Sequence, residues 1–138
     1  MEFNDFDEIE QPIGFLYTIS GLSNEFKVTH RALRYYEQKG LLSPLRSGQQ
    51  RLYSYRDRAR LQVILHSKRF GLTIAEIKEL LDLYEPAGEN RLQITKAIEI
   101  GERQLALLKL ERDEVDSSIK GLERTLLCLR EKISEVEG

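Results

Sequence analysis

The 138-residue chain has no tryptophan, one cysteine, three prolines and two histidines. A single cysteine cannot form an internal disulfide, and by itself it supplies neither a zinc site nor an iron–sulfur site. No apolar run approaches the eighteen or so residues that a membrane span requires. The histidines, His30 and His66, have no cysteine or carboxylate pair around them, and no glycine-rich phosphate loop is present. The sequence therefore gives almost no support for an enzyme.

The first fifteen residues contain five acids and no lysine or arginine. Because a basic region and an apolar core are missing, this segment does not resemble a secretory signal. Its acids, proline and glycine offer little to pack, so we expect residues 1–15 to be a disordered arm. Together with the lack of disulfides, this favours a cytoplasmic protein.

The net charge of −2 hides a strongly basic block. Residues 27–69 carry eleven lysines and arginines against two acids, Glu37 and Asp57. Such a block within a near-neutral chain is typical of a protein that binds a polyanion. Charge alone leaves open that the block is only a solvated basic surface.

Helix-capping residues and turns divide residues 16–85 into short elements. A strand-like "FLYT" precedes a first helix capped by Thr18, and Thr29 caps a second helix that Gly40 ends. The turn "SGQQ" separates two β-like segments, which predicts a hairpin wing. Capping boxes, Ser54 with Asp57 and Thr73 with Glu76, start a third and a fourth helix, and residues 86–90 have the composition of a linker.

Residues 91–138 show a heptad repeat. Thirteen positions from Ile94 to Val136 follow an unbroken 4-3-4-3 spacing, and eleven of them are apolar. This pattern predicts a coiled-coil dimerisation helix, either continuous or broken into a hairpin near Ser117–Gly121. Packing of a long helix on its own small domain is the less favoured alternative. The predicted dimerisation residues are Ile98, Leu105, Leu108, Val115, Ile119 and Leu122.

The second helix has one polar face rich in hydrogen-bond donors. At 100° per residue, Arg31, Arg34, Tyr35 and Gln38 share that face, and the core-forming residues lie opposite. Two short helices joined by a tight turn, with arginines pointing outward from the second, indicate a helix-turn-helix. Arginines there can bind guanine or clamp a phosphate.

Other residues of the basic block are predicted to reach the DNA backbone. Thr29 and His30 start the second helix, where backbone N–H groups bind phosphate oxygens. The wing offers Arg46 and Arg51, with Tyr53 as a further candidate that could equally be a core residue. Lys68 and Arg69, at the end of the third helix, could form a second wing. We expect the remaining arginines of that helix, Arg56, Arg58 and Arg60, to be solvated.

Several of these motifs resemble the DNA-binding domain of the MerR family of bacterial transcription regulators. They are "YTI", "T-x-R-x-L-R-Y-Y-E-x-x-G-L-L" from Thr29, "RLYS", "R-L-x-x-I" and "GLTIAEIKELL". The resemblance covers about half of the chain, and the heptad region is similar to the family's antiparallel coiled-coil helix. The stretch from Arg46 to Gly71 is also similar to the branch controlling branched-chain amino-acid and acyl-CoA degradation genes.

The resemblance implies a mainly α protein with a winged helix-turn-helix and a coiled-coil dimerisation helix. It implies a homodimer on a two-fold-symmetric promoter operator, which it bends and untwists so that RNA polymerase can engage the promoter. The cysteines of metal-sensing and redox members are missing, so no metal or cofactor is expected. A small-molecule effector would then bind at the dimer helices or the inter-domain junction. The alternative function is a coiled-coil module whose winged-helix domain binds another protein.

Overall fold

The computed structural model describes residues 16–85 and 88–138. The predicted acidic arm, residues 1–15, lies outside the described residues, as do residues 86–87 of the predicted linker. The elements, in chain order, are β1 (Tyr17–Thr18), α1 (Ile19–Phe26), α2 (His30–Gln38), β2 (Leu45–Ser47), β3 (Gln50–Tyr53), α3 (Tyr55–Arg69), α4 (Ile74–Asp82) and α5 (Arg91–Glu137). The protein is thus mainly α-helical with a small sheet, as the sequence predicts.

The helices begin at the predicted capping residues. The Thr29 hydroxyl accepts a hydrogen bond from the backbone N–H of Ala32 at 3.0 Å, which satisfies a donor that the first turn of α2 leaves unpaired. Ser54 with Asp57 and Thr73 with Glu76 form complete capping boxes. After α2, Gly40 adopts a φ of 78°, a left-handed conformation that a side chain would strain.

A three-stranded antiparallel sheet in the order β1-β3-β2 joins the first helix to the hairpin. Across the hairpin Arg46 lies opposite Arg51, and the turn at Gly48 has a φ of 64°. The pairing of β1 with β3 places Tyr17 opposite Tyr53. The hairpin wing is therefore as predicted, and β1 adds a third strand that anchors it to α1.

One hydrophobic core holds these elements together. The side chains of Leu22 from α1, Leu33 from α2, and Leu61 and Ile64 from α3 are fully buried. Tyr36, on the same side of α2 as Leu33, is also buried. Burying such side chains contributes about 1.5–3 kcal/mol each, which fixes α2 with its apolar side inward and its arginine side outward.

The first turns of α5 belong to this compact unit, which extends to Ile100. Ile100 is buried, and the buried Gln93 donates a hydrogen bond from Nε2 to the carbonyl oxygen of Leu80 in α4 at 2.7 Å. Lys96 lies 3.5 Å from a Glu79 carboxylate oxygen. These contacts hold the start of α5 against α4.

Residues 101–138 form the second unit, which consists of the remainder of α5. The helix runs without a break through Ser117–Gly121, so the hairpin alternative is wrong. The six predicted dimerisation residues are exposed in the single chain, between 40% for Leu108 and 60% for Leu122. Exposed apolar surface of this extent is typical of a surface that binds a partner. No helix in residues 16–85 and 88–138 has the length and hydropathy needed to cross a membrane.

Candidate nucleic-acid interface

The outward face of α2 and the hairpin line one open cleft of about 620 Å³. Six predicted DNA-contact residues meet there, and a glutamate that was not predicted joins them. The lining residues are Arg31, Arg34, Tyr35, Glu37, Gln38, Arg46 and Arg51. Four guanidinium groups against one carboxylate give the cleft a positive charge, which suits an anionic partner.

The arginines of the cleft fall into two pairs with different surroundings. Arg31 and Arg34, on α2, are exposed, and neither has an ion-pair partner among the described residues. Arg46 and Arg51, on the hairpin, both bind Glu37, at 2.9 and 2.8 Å. The first pair therefore has all its donors available for a ligand, whereas the second is already oriented within the protein.

Exposed aromatic and polar side chains complete the face of α2. Tyr35 is 41% exposed, and the ammonium of Lys39 lies 5.7 Å from its ring centroid. Gln38 is exposed in the last turn of the helix. At the other end Thr29 and His30 are exposed at the helix N-terminus, outside the cleft. A ligand lying along α2 would meet all of these groups.

The predicted second wing lies apart from the cleft. Lys68 and Arg69 are exposed at the end of α3 and do not line the cleft. The ammonium of Lys68 lies 5.5 Å from the ring centroid of Tyr36, an α2 residue whose side chain is buried in the core. Phe70, the next residue, is 49% exposed and packs edge-to-face on His66. These side chains form a separate basic and aromatic surface.

The prediction of Tyr53 as a DNA contact is wrong. Its side chain is fully buried in the core, and its hydroxyl has no hydrogen-bond partner in the described part of the chain. Burial raises the pKa of this phenol, and the nearby Glu37 carboxylate raises it further. Tyr53 packs in the core because β3, the central strand, turns its side chain inward. This agrees with the alternative interpretation of Tyr53 as a core residue.

Two arginines expected to be solvated are structural. The Arg58 guanidinium binds the Glu25 carboxylate and lies over the Phe26 ring at 5.4 Å; the hydrogen bond to Glu25 is the main cause of its raised pKa. The Arg60 side chain is 12% exposed, and burial lowers its pKa. Only Arg56 is exposed as expected. The difference has two local causes, because Glu25 in α1 reaches Arg58 and Asp82 at the end of α4 reaches Arg60.

Glu37 was not predicted as a member of the cleft, although it is one of only two acids between residues 27 and 69. The position of Glu37 on the helical wheel of α2 does not predict its contact with the hairpin, because the pairing of β3 with β1 determines where the hairpin lies. Among the described residues no group of three or more His, Cys, Asp or Glu side chains could hold a metal ion.

A helix-turn-helix with a basic cleft at its second helix is the arrangement of a DNA-binding protein. The family model of MerR helix-turn-helix regulatory proteins matches residues 17–84, and the model described as "MerR, DNA binding" matches residues 58–132. The chain belongs to the MerR family. The matches do not specify a branch, so the similarity to regulators of amino-acid and acyl-CoA degradation stays a prediction.

Individual relatives agree with this assignment. The chain is 32% identical over 115 residues to the transcriptional activator mta of Bacillus subtilis, covering 82% of this chain and 41% of that protein. The crystal structure of the N-terminus of the B. subtilis multidrug transporter activator MtaN superimposes with a TM-score of 0.61 at 31% identity, over 80% of this chain and 98% of that one. A MerR-family regulator from Bacillus cereus gives 0.64 at 25% identity, over 80% and 79% of the chains.

Proposed function

We propose that this chain is a transcription regulator that binds a two-fold-symmetric promoter operator as a homodimer. Each protomer would place α2 in the major groove of one half-site. The observation that carries the proposal is the cleft, where Arg31 and Arg34 of α2 converge with Arg46 and Arg51 of the hairpin. The chain spans 41% of the length of the B. subtilis activator.

The residues have different roles in the proposed complex. Arg31 and Arg34, with free donors, read bases or clamp phosphates, and Tyr35 and Gln38 contact the same groove. Thr29 and His30 bind a phosphate at the start of α2. Arg46 and Arg51 hold the backbone beside the groove, and Lys68 and Arg69 hold it farther along the duplex. A phosphate contact adds affinity for any sequence and fixes the register of α2 in the groove, whereas a base contact adds preference for the operator.

The proposed dimer forms through α5. Leu105, Leu108, Val115, Ile119 and Leu122 are all exposed in the single chain and follow the heptad spacing of a coiled-coil seam. A helix that leaves such a stripe in water gains by pairing with a second copy. Dimerisation would also supply the second α2 that a symmetric operator requires.

Three parts of the proposal come from the resemblance to the MerR family. They are the distortion of the operator, the engagement of RNA polymerase and the response to a small-molecule metabolite. Bending and untwisting would let the protein read DNA shape as well as base edges.

A nuclease footprint tests the proposal. The protein is incubated with DNA upstream of its own gene and of the adjacent operon, with and without cell metabolites; sequences selected from a random duplex pool supply a second probe. We expect a protected dyad with a hypersensitive centre, the mark of a distorted duplex. A folded dimer that protects no DNA and selects no sequence would contradict the proposal.

The alternative is a coiled-coil interaction module whose winged-helix domain binds another protein, and the family matches do not favour it. Salt dependence separates the two. Binding that neutralises about six to ten phosphates loses about 10³–10⁵-fold in affinity between roughly 50 and 200 mM salt. A weak salt dependence, with a protein captured instead, would favour the interaction module.

A further inference from the structure

The Glu37 carboxylate binds one arginine from each strand of the hairpin. Oε1 accepts from Nη2 of Arg46 at 2.9 Å, and Oε2 accepts from Nε of Arg51 at 2.8 Å. The Glu37 side chain is only 21% exposed, although it lies in the midst of the basic cleft. One side chain of the recognition helix therefore connects to both strands of the wing.

The geometry of the hairpin shows why such a connection is needed. Arg46 and Arg51 are directly opposite each other in the β2–β3 ladder. Like charges at opposed positions repel and push their side chains apart. By giving one oxygen to each guanidinium, Glu37 holds the pair together, and neither guanidinium has a second hydrogen-bond or ion-pair partner among residues 16–85 and 88–138. Each guanidinium keeps further N–H groups for a ligand.

We infer that Glu37 is a positioning residue for DNA recognition. Its carboxylate fixes the direction in which Arg46 and Arg51 present their remaining donors, and it joins the hairpin to the face of α2 that carries Arg34. Operator binding then meets a preformed array, and fewer side chains lose freedom on binding. The inference rests on the proposed DNA-binding function and adds to it a residue that acts through two arginines.

Two other roles for Glu37 make different predictions. A carboxylate in a basic cleft repels phosphate, so as a purely repulsive group it would lower affinity for every sequence. As a direct reader it would accept a hydrogen bond from cytosine N4 and set the preference at one base pair. Positioning is favoured because both oxygens are already engaged by guanidinium groups at hydrogen-bond distance.

Glu37→Gln in the full-length dimer tests the inference. The measured quantity is the ratio of affinities for the selected operator and for a scrambled duplex of equal length, at fixed salt. We expect the ratio to fall on the order of tenfold, because wing arginines without a fixed direction no longer hold α2 in register with the operator bases. The scrambled-duplex affinity should be equal or higher, because a negative charge is gone. The matched control is Glu25→Gln, which removes another carboxylate paired with an arginine, Arg58, outside the cleft. It should keep the wild-type ratio.

A second variant keeps the test decisive if Glu37→Gln folds poorly. Glu37→Asp retains the charge but withdraws the carboxylate by one methylene, so it cannot reach both guanidinium groups as before. Positioning predicts a reduced ratio for this variant too, whereas pure repulsion predicts no change. Circular dichroism at the binding temperature confirms that each variant compared is folded.

A double-mutant comparison shows whether Glu37 acts through the arginines. In an Arg46→Ala, Arg51→Ala background, Glu37→Gln should no longer change the ratio. A ratio unchanged in the single variant, a rise in both affinities, or a base-specific effect that persists in that background would each overturn the inference. Wild-type protein that binds no DNA would instead contradict the proposed function itself.

Discussion

The Nε of Arg60 donates a hydrogen bond to the backbone carbonyl oxygen of Leu41 at 2.7 Å. Leu41 follows α2, and its own side chain is buried in the core. The Arg60 guanidinium also lies 3.7 Å from a carboxylate oxygen of Asp82 at the end of α4. Arg60, which belongs to the basic block of the sequence, thus joins α3 to the segment that follows α2 and to the end of α4.

Arg60→Met should lower the free energy of unfolding. The substitution keeps most of the apolar stem but leaves the buried Leu41 carbonyl without its donor, which costs about 1–3 kcal/mol. Denaturant titration measures the loss. Arg56→Met, at an exposed position one turn earlier, is the control and should stay within about 0.5 kcal/mol of wild type. Equal losses for the two variants would contradict a structural role for Arg60.

Tyr53→Phe should be neutral or stabilising at neutral pH. The Tyr53 hydroxyl is buried with no hydrogen-bond partner in the described part of the chain, and an unpartnered buried polar group costs about 1–3 kcal/mol. Phenylalanine fills the same space without that group. Chemical denaturation should show an unfolding free energy equal to or above wild type, and operator affinity should not change. A clear loss of stability would indicate that the hydroxyl has a bound water.

The same residue predicts a stability change at alkaline pH. Burial raises the Tyr53 pKa in the folded protein, so the folded state holds its proton more tightly than the unfolded state. The stabilisation is fully present below about pH 10, the ordinary pKa of tyrosine, and is lost as pH rises from there through the folded-state pKa. Unfolding measured between about pH 9 and 11 should show a smaller decline for Tyr53→Phe than for wild type. Parallel declines would count against this residue as the source.

Arg34→Ala should weaken specific DNA binding by about 1–3 kcal/mol if Arg34 makes one good contact. Its guanidinium faces the cleft and has no ion-pair partner among the described residues, so its removal should leave the fold intact. Titration of a labelled operator measures the effect. Arg56→Ala removes the same charge from an exposed position outside the cleft and should have a much smaller effect. Unchanged affinity for Arg34→Ala would show that α2 is not the recognition helix.

Leu105→Lys and Leu122→Lys should each shift the protein toward monomer, because each places a charge in the proposed coiled-coil seam. Analytical ultracentrifugation measures the dissociation constant. Leu110→Lys is a matched control: Leu110 is 56% exposed in the single chain, similar to Leu105 at 51%, but lies outside the heptad seam. It should leave the dimer intact. Dimers that survive both seam variants would place the interface elsewhere.

Local structure was largely predictable from the sequence. Thr29, Ser54 and Thr73 cap their helices in the structure as predicted, because a cap depends on residues only two or three positions apart. The facing of α2 was also correct: Leu33 is buried, and Arg34 is exposed. Helical periodicity determines which side chains share a face, and hydrophobic burial then determines which face turns inward.

Contacts between distant segments were harder to predict. Tyr53 is in the core because β3 is the central strand of the sheet, paired on both sides. Arg58 and Arg60 are partly covered by partners from α1 and α4, 33 and 22 positions away in the chain. A charged residue on an amphipathic helix gives no local signal of whether a partner will reach it, so both arginines were placed on the surface.

The sequence by itself determined the order and boundaries of the capped helices, the outward arginine face of α2 and the heptad stripe of α5, because short-range spacing and solvent exclusion specify each of them. The tertiary structure alone decided which basic residues stay available. Arg46 and Arg51 form ion pairs with Glu37, and Arg58 forms one with Glu25. Arg60 donates a hydrogen bond to the Leu41 carbonyl, whereas Arg31 and Arg34 have no ion-pair partner among the described residues. The physical reason is that an ion pair or hydrogen bond forms only within a few ångströms, and chain folding, not sequence spacing, brings these partners that close.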